Sequence, residues 1–151
     1  MRLFQGTALG LLLVAATTTL AQTPRTYFDP RTSANKTDPP FSGSVKVGDT
    51  LYISGQIGLI GVGPDRKPPQ DVTEEAKLVL DGVKGQLTKA GMTMDDLVSV
   101  QVFCSDVKHF DAFNAVYRTY FTKEFPARAF LGSGTLLFGA RFEVMGVAVK
   151  R

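Results

Sequence analysis

The chain has 151 residues, of which 44% are hydrophobic and 21% charged, a length and composition typical of one globular domain. One cysteine and one histidine exclude an internal disulfide, a cysteine zinc cluster and a two-histidine metal site, so we expect no metal and no cofactor. The formal net charge of +3 comes from scattered basic residues. This argues against a nucleic-acid partner, because proteins that bind nucleic acids concentrate their basic residues on one face.

The first 21 residues are typical of a secretory signal peptide. Arg2 supplies a positive start, Ala8 to Ala16 form a short apolar core, and Thr19-Leu20-Ala21 offer small residues for cleavage before Gln22. The apolar run is short for a membrane span, although an uncleaved anchor is the alternative. We therefore expect a periplasmic or secreted protein without membrane contact after cleavage, in which residues 22–39 form an extended polar segment.

Two short strands open the folded part of the chain. They cover Ser44 to Val47 and Leu51 to Ile57, around the hairpin signal Gly48-Asp49. The second strand alternates, which predicts two faces: Leu51, Ile53 and Ile57 on one, and Tyr52, Ser54 and Gln56 on the other.

Two helices follow, separated by a strand. Asp71 is the predicted cap of the first helix and Gly91 its end, with apolar residues at helical spacing between them. Val98 to Cys104 alternate as a strand does. The second helix covers about Phe110 to Phe121 and carries an aromatic stripe, which we interpret as core.

The closing strands are Ala127 to Leu131 and Arg141 to Val149, with a glycine-rich stretch between them. The resulting order is β-β-α-β-α-β-β, and the first two and the last two strands are close enough in sequence to pair as hairpins. This order predicts an α+β fold, in which a mixed sheet carries both helices on one face.

Three polar residues occupy positions where local patterns do not explain them. Glu143 lies in an apolar strand and must be solvated, paired with Arg141 or placed at a subunit contact, because burying a lone carboxylate is costly. Asn114 borders the aromatic stripe, where its amide either bonds locally or faces a cleft. Arg128 begins a strand; arginine is suited to binding a carboxylate, although most arginines are surface residues.

Several segments, taken together in their order and spacing, resemble the Rid/YjgF family of reactive intermediate and imine deaminases, also called endoribonuclease L-PSP. The resemblance covers residues 40–151. The segments that carry it are Pro40-Phe41-Ser42-Gly43-Ser44-Val45, Leu51-Tyr52-Ile53-Ser54-Gly55-Gln56-Ile57, Gly91 to Val102, Phe113-Asn114-Ala115-Val116-Tyr117, Phe125-Pro126-Ala127-Arg128 and Phe142-Glu143-Val144.

The resemblance implies a homotrimer of chorismate-mutase-like subunits whose ligand clefts lie between neighbouring subunits. It implies hydrolysis of enamine or imine intermediates, the 2-imino acids, to 2-keto acids and ammonia. By the same resemblance Arg128 binds the substrate carboxylate, Glu143 holds and deprotonates the attacking water, and Ser54 and Asn114 shape the pocket. The expected partner is thus a small imine that bears a carboxylate.

Two positions of the expected binding pocket depart from the family pattern. Phe41 stands where the family has a tyrosine, and Phe130 where it has a cysteine. Both changes remove polar groups, and they support an alternative in which the protein is a non-catalytic trimer that binds a small ligand in its intersubunit clefts. A ribonuclease, suggested by the family's older name, lacks support because the sequence has no histidine pair, metal cluster or basic groove.

Overall fold

The computed structural model describes residues 23–31, 34 and 36–151; the expected signal peptide lies outside these residues. In the described part, six strands and two α-helices follow one another: β1 (Arg25–Phe28), β2 (Ser44–Val47), β3 (Thr50–Ile57), α1 (Val72–Lys89), β4 (Leu97–Cys104), α2 (Phe110–Tyr117), β5 (Ala127–Gly132) and β6 (Phe142–Val149). Neither of these helices is long and apolar enough to cross a membrane.

The strands form one mixed sheet in the order β1-β2-β3-β6-β4-β5. Only β4 and β5 are parallel, and the other neighbours are antiparallel. Every second residue of β6, from Phe142 to Ala148, is buried beneath the helices, where both helices pack and contact each other. The predicted α+β fold with a mixed sheet and two helices is confirmed.

Local chemistry accounts for the ends of α1. The Asp71 carboxylate accepts a hydrogen bond from the backbone N–H of Thr73 at 2.7 Å, which caps the helix start. Gly91 follows the last turn with φ +69, a left-handed conformation in which a side chain is disfavoured. The apolar stripe between these ends supplies the centre of the core, including Val79, Leu80 and Val83.

The prediction that the last two strands pair as a hairpin is wrong. β5 pairs in parallel with β4 at the sheet edge, whereas β6 lies between β3 and β4. The physical reason is that β6 is apolar on both faces, with Val144 and Ala148 on one side and Met145 and Val147 on the other. In the centre of the sheet such a strand forms backbone hydrogen bonds with a neighbour on each edge. The helices cover at least one of its two apolar faces.

The predicted faces of β3 are wrong beyond Ser54. The pairing of β3 with β6 shifts register between Ile53 and Gln56, which is a β-bulge. Beyond the bulge, Gln56 turns toward α1, where it lies beside Gly82, and Ile57 pairs with Glu143 on the open face of the sheet. One extra residue therefore reverses the expected alternation.

Residues 22–39, which the sequence predicts to be an extended polar segment, contain a strand that the sequence pattern does not predict. Arg25–Phe28 forms β1, which pairs with β2 and so becomes one edge of the sheet. Asp29 follows it with φ 47. Its carboxylate accepts hydrogen bonds from Gln86 at 2.8 Å and Lys89 at 2.5 Å, which fastens this segment to α1.

Candidate functional site

Arg128 lies on the side of β5 that faces the helices. It pairs in register with Val100, a buried residue of β4, and α2 passes over it. Its guanidinium donates a hydrogen bond of 2.7 Å to the side-chain oxygen of Asn114. The structure therefore joins two of the residues that the sequence singled out, and the Asn114 amide serves to hold the arginine.

Aromatic rings provide the rest of the surroundings of Arg128. The guanidinium carbon is 4.5 Å from the centre of the Tyr117 ring and 5.7 Å from that of Phe130, both within the range of cation–π attraction. Phe130 itself packs edge-on against Phe110 and Phe113. Within the described chain no carboxylate forms an ion pair with Arg128.

A cavity of about 380 Å³ opens beside this arginine. Its lining residues are Phe110, Asn114, Tyr117, Arg118, Phe125, Pro126 and Arg128. Phe130 is absent from this lining, since its ring turns toward Phe110 and Phe113. The aromatic residue at this position thus leaves the cavity beside Arg128 open.

Glu143 lies on the opposite, open face of the sheet. It is half-buried, and no hydrogen-bond donor or cation of the described residues contacts its carboxylate. The carboxylate lies over Gly55: a Cβ atom built on that glycine would be 1.9 Å from the Glu143 Oε1 atom. The absence of a side chain at the bulge in β3 is therefore what gives this carboxylate its place.

Ser54 and Phe41 lie beside Glu143 and line a second cavity with it, of about 750 Å³. The Ser54 hydroxyl donates a 2.7 Å hydrogen bond to the backbone oxygen of Ser42, which holds the turn that precedes β2. Phe41 is 56% exposed. Leu137 and Phe138 add apolar surface to this cavity, whose lining also includes the cations Arg31 and Arg66.

The start of β6, which carries Glu143, is fixed by a buried ion pair. Glu75 of α1 is fully buried, and its carboxylate accepts hydrogen bonds from the Arg141 backbone at 2.5 Å, the Arg141 guanidinium at 2.6 Å and the Phe142 backbone at 3.2 Å. Arg141 also donates to the carbonyl oxygens of Pro69 and Gln70. Arg141 thus pairs with Glu75, and its pairing with Glu143, one of the sequence-based alternatives, is wrong.

The two halves of the site are separated within one chain. Arg128 and Glu143 are two strands apart and three residues apart along the sheet, which corresponds to roughly 14 Å between their Cα atoms. They also point to opposite faces. One small molecule cannot contact both side chains of the same chain, so a combined site requires the Glu143 half of one copy to meet the Arg128 half of another.

Three contributors to the site were missed from the sequence. Gly55 had no visible role because its meaning depends on the bulge. The aromatic stripe indicates only a core role for Tyr117. Its hydroxyl is buried and has no hydrogen-bond partner among the described residues. This burial raises the pKa of the Tyr117 phenol to about 12. Glu75 has the pattern of a first-turn acidic residue, and only its apolar neighbours Ala76 and Val79 signal that its turn is buried.

Comparison with known proteins assigns the chain to a family. The sequence model of the endoribonuclease L-PSP family matches residues 32–150. Two similar proteins are named 2-iminobutanoate/2-iminopropanoate deaminase: that of Capra hircus is 38% identical over 111 residues (74% of this chain and 80% of the relative), and that of Homo sapiens is 36% identical over 111 residues (74% and 80%).

Solved structures agree with this assignment. The YjgF gene product of E. coli is 34% identical, with a TM-score of 0.67 over 74% of this chain and 89% of that one. E. coli TdcF with bound serine is 29% identical, with a TM-score of 0.68 over 76% and 91%. The match along most of the chain, in sequence and in fold, shows that this protein belongs to the Rid/YjgF family, the family of the endoribonuclease L-PSP model.

Proposed function

We propose that the protein hydrolyses 2-imino acids to 2-keto acids and ammonia. The observation that carries the proposal is the pair of unneutralised charges, Arg128 and Glu143, each in its own cavity and on opposite faces of one sheet. A cation and a carboxylate are the groups needed to bind an anionic imine and to activate water. The relatives named 2-iminobutanoate/2-iminopropanoate deaminase support the same reaction.

In the proposed reaction Arg128 binds the carboxylate of the imino acid, as a guanidinium does with two parallel hydrogen bonds. Glu143 accepts a proton from water while the water oxygen forms a bond to the imine carbon, which gives a carbinolamine. The protonated Glu143 then returns its proton to the nitrogen. Glu143 then carries the proton of the carbinolamine hydroxyl to the same nitrogen, and the C–N bond breaks so that ammonia leaves as the C=O bond forms. The net change is addition of one water and release of one ammonia.

The active assembly that we propose is a homotrimer with a cleft at each subunit contact. Several large apolar residues on the open face of the sheet are exposed in the single chain, including Tyr52 at 52%, Leu131 at 44% and Met145 at 38%. An exposed apolar face of this kind is typical of a subunit interface. A ring of three copies would place the Glu143 half of each subunit against the Arg128 half of its neighbour.

The test is imine hydrolysis by the purified protein. An amino-acid oxidase generates imino acids in place, and semicarbazide traps whatever is not hydrolysed. We expect the wild type to lower semicarbazone formation and Arg128→Ala to abolish that effect, whereas Arg25→Ala, an exposed arginine of β1 outside both cavities, behaves as the wild type. Equal trapping with and without the wild-type protein, for every amino acid supplied, would refute the proposal.

A non-catalytic trimer that binds a small ligand is the second candidate. Phe41 favours it, since it lines the cavity of Glu143 with an exposed ring and no hydroxyl. Binding of 2-oxobutanoate, detected by calorimetry, without any turnover of imines would identify this function.

We also propose that residues 1–21 direct export and are removed before Gln22, which places the protein in the periplasm or outside the cell. The support is the charge and apolar pattern of that segment. N-terminal sequencing of the protein recovered from the cell envelope fraction and the medium tests this. A protein found only in the cytoplasm with an intact first segment would contradict it.

A further inference from the structure

Arg128 rests on a block of packed aromatic rings. Tyr117, directly beneath the guanidinium, is only 4% exposed. It is stacked on Phe113 at 5.8 Å and packed against Phe121 at 4.7 Å. These contacts give the Tyr117 ring a fixed orientation, and with it a fixed surface on which the guanidinium lies.

The hydroxyl of Tyr117 contributes nothing visible to this arrangement. It is buried, and no donor or acceptor of the described chain reaches it. A buried polar group without a partner is unfavourable, so the hydroxyl does not explain why this residue is placed here. The contact that the structure does show is between the face of the ring and Arg128.

An aromatic face holds an arginine differently from a carboxylate. A carboxylate occupies the N–H groups at the edge of the guanidinium, and it would compete there with the carboxylate of a ligand. A ring attracts the cation through its face and leaves the edge donors free. In this chain the Asn114 oxygen takes one N–H group and no carboxylate takes any of the others in the described residues.

We propose that Tyr117 is a positioning residue for Arg128: its ring, rather than its hydroxyl, orients the guanidinium and keeps its edge available to a carboxylate ligand. Phe130 supports the same group from 5.7 Å. The inference rests on the proposed function for its ligand, a carboxylate, but the orientation of Arg128 is a property of the protein alone and is measurable without any ligand or turnover.

Three variants of the full protein separate the ring from the hydroxyl and from packing. Tyr117→Phe keeps the ring and should bind 2-oxobutanoate as the wild type does. Tyr117→Leu removes the ring and should raise the dissociation constant about tenfold, the effect of losing one cation–π contact. Phe121→Leu is the matched control, because it removes a neighbouring ring of the same block that has no contact with Arg128. It should lower thermal stability and leave binding unchanged.

Steady-state kinetics of the same variants give a second measurement of whether Arg128 is misplaced. If Arg128 is misplaced, Tyr117→Leu should raise KM for imino acids in the semicarbazide assay far more than it lowers kcat, and Tyr117→Phe should restore the wild-type KM. A KM shift of equal size in Phe121→Leu would mean that the block acts only through packing and would overturn the inference. So would a failure of Tyr117→Phe to restore binding.

Nuclear magnetic resonance gives the readout that is independent of the proposed function. In the wild type and in Tyr117→Phe, the side-chain N–H of Arg128, assigned with Arg128→Lys, should be shifted upfield by the ring beneath it, and Tyr117→Leu should remove most of this shift. An unshifted signal in the wild type would overturn the inference. A shifted signal with ligand binding that depends on the ring, but with no imine hydrolysis, would uphold the inference and refute the deaminase.

Discussion

Two glutamates lie at the start of β6 on opposite faces of the sheet, Glu75 reaching it from α1 and Glu143 belonging to the strand itself, and their surroundings differ. Glu75 is fully buried, and its two oxygens accept three hydrogen bonds from Arg141 and Phe142. Glu143 is half-buried, and no donor of the described residues reaches its carboxylate. A buried carboxylate with all its hydrogen bonds made holds the fold together, whereas one left without donors beside a cavity is available for chemistry.

The same contrast separates two arginines. Arg141 is bound by a carboxylate and by two carbonyl oxygens, so its charge and donors are used within the chain. Arg128 is bound by one amide oxygen and by ring faces. We infer that the functional residues of this protein are the charged ones that the fold holds in place without pairing them with an opposite charge. The predictions below test that division.

The largest expected effect belongs to Glu143→Gln. The amide has the shape of the carboxylate but cannot take a proton from water, so we expect imine hydrolysis to fall at least about a hundredfold. The free energy of unfolding, measured in urea, should change by less than about 0.5 kcal/mol because the native carboxylate makes no hydrogen bond to lose. Glu74→Gln, an exposed change on α1, is the control for both measurements. Retained hydrolysis would remove Glu143 from the mechanism.

Glu75→Gln should show the opposite pattern. It leaves the Arg141 cation without its partner, and we expect the free energy of unfolding to fall by about 3 kcal/mol. Urea denaturation measures the loss, and the exposed neighbour Glu74→Gln should lose almost nothing. If the ion pair is the cause, the double variant with Arg141→Gln should cost less than the two single changes together. If the variant were as stable as the wild type, burial and the number of hydrogen-bond donors would not identify the charged residues that stabilise this fold.

Gly55→Ala tests the link between the bulge and the chemistry. The added Cβ would lie 1.9 Å from the Glu143 Oε1 atom, so the carboxylate must move. We expect hydrolysis to fall about tenfold, as small misplacements of catalytic groups reduce rates. Stability should change little, because the end of a side chain can move aside. In a Glu143→Ala background the same change should have no further effect on the remaining activity.

The matched control for this glycine is Gly85→Ala on α1. Nothing lies within 4 Å of a Cβ at Gly85, and alanine favours a helix by up to about 1 kcal/mol relative to glycine. We expect a modest gain in unfolding free energy and unchanged hydrolysis. A loss of activity in Gly85→Ala as large as that in Gly55→Ala would mean that the position of Glu143 is not what the substitution changes.

The elements of the fold could be predicted from the sequence because each is encoded by a local pattern. The predicted span Ser44 to Val47 is β2 itself, and the alternation of Val98 to Cys104 gives β4 to within one residue. The order of strands was not accessible in this way. Pairing depends on long-range contacts, and the connection between β5 and β6, residues 133–141, permits both a hairpin and the observed return to the centre of the sheet.

The site shows the same limit in more detail. Arg128, Asn114 and Glu143 stood out as polar residues at apolar or unusual positions, and the structure gives Arg128 and Asn114 a direct contact. The bulge at Ser54 and Gly55 reverses which face of the sheet the following residues of β3 point to, and no local sequence pattern predicts it. The roles of Gly55 and Tyr117 depend on the residues that contact them in the folded protein. These tertiary contacts cannot be read from the local sequence pattern.

Asp29 is an intermediate case and gives the smallest expected effect. Its carboxylate accepts hydrogen bonds from Gln86 and Lys89, as a structural carboxylate does, but its side chain is 41% exposed. The Gln86 hydrogen bond, and then that of Lys89, lower the pKa of Asp29 below its ordinary value of 3.8. The ionised form is therefore favoured in the folded state. Its contribution to stability is complete above pH 3.8 and is lost as the pH falls through the folded pKa.

Because solvent screens an exposed pair, we expect Asp29→Asn to lower the free energy of unfolding at pH 7 by less than about 1 kcal/mol. Urea denaturation of the two proteins at pH 7 and at pH 2.5 should show this difference shrinking at the lower pH, where the wild-type carboxylate is increasingly protonated. A difference that stays constant between these pH values would assign the effect to lost packing of β1 and not to charge. A loss as large as that of Glu75→Gln would show that the number of donors, and not burial, decides which carboxylates hold this fold together.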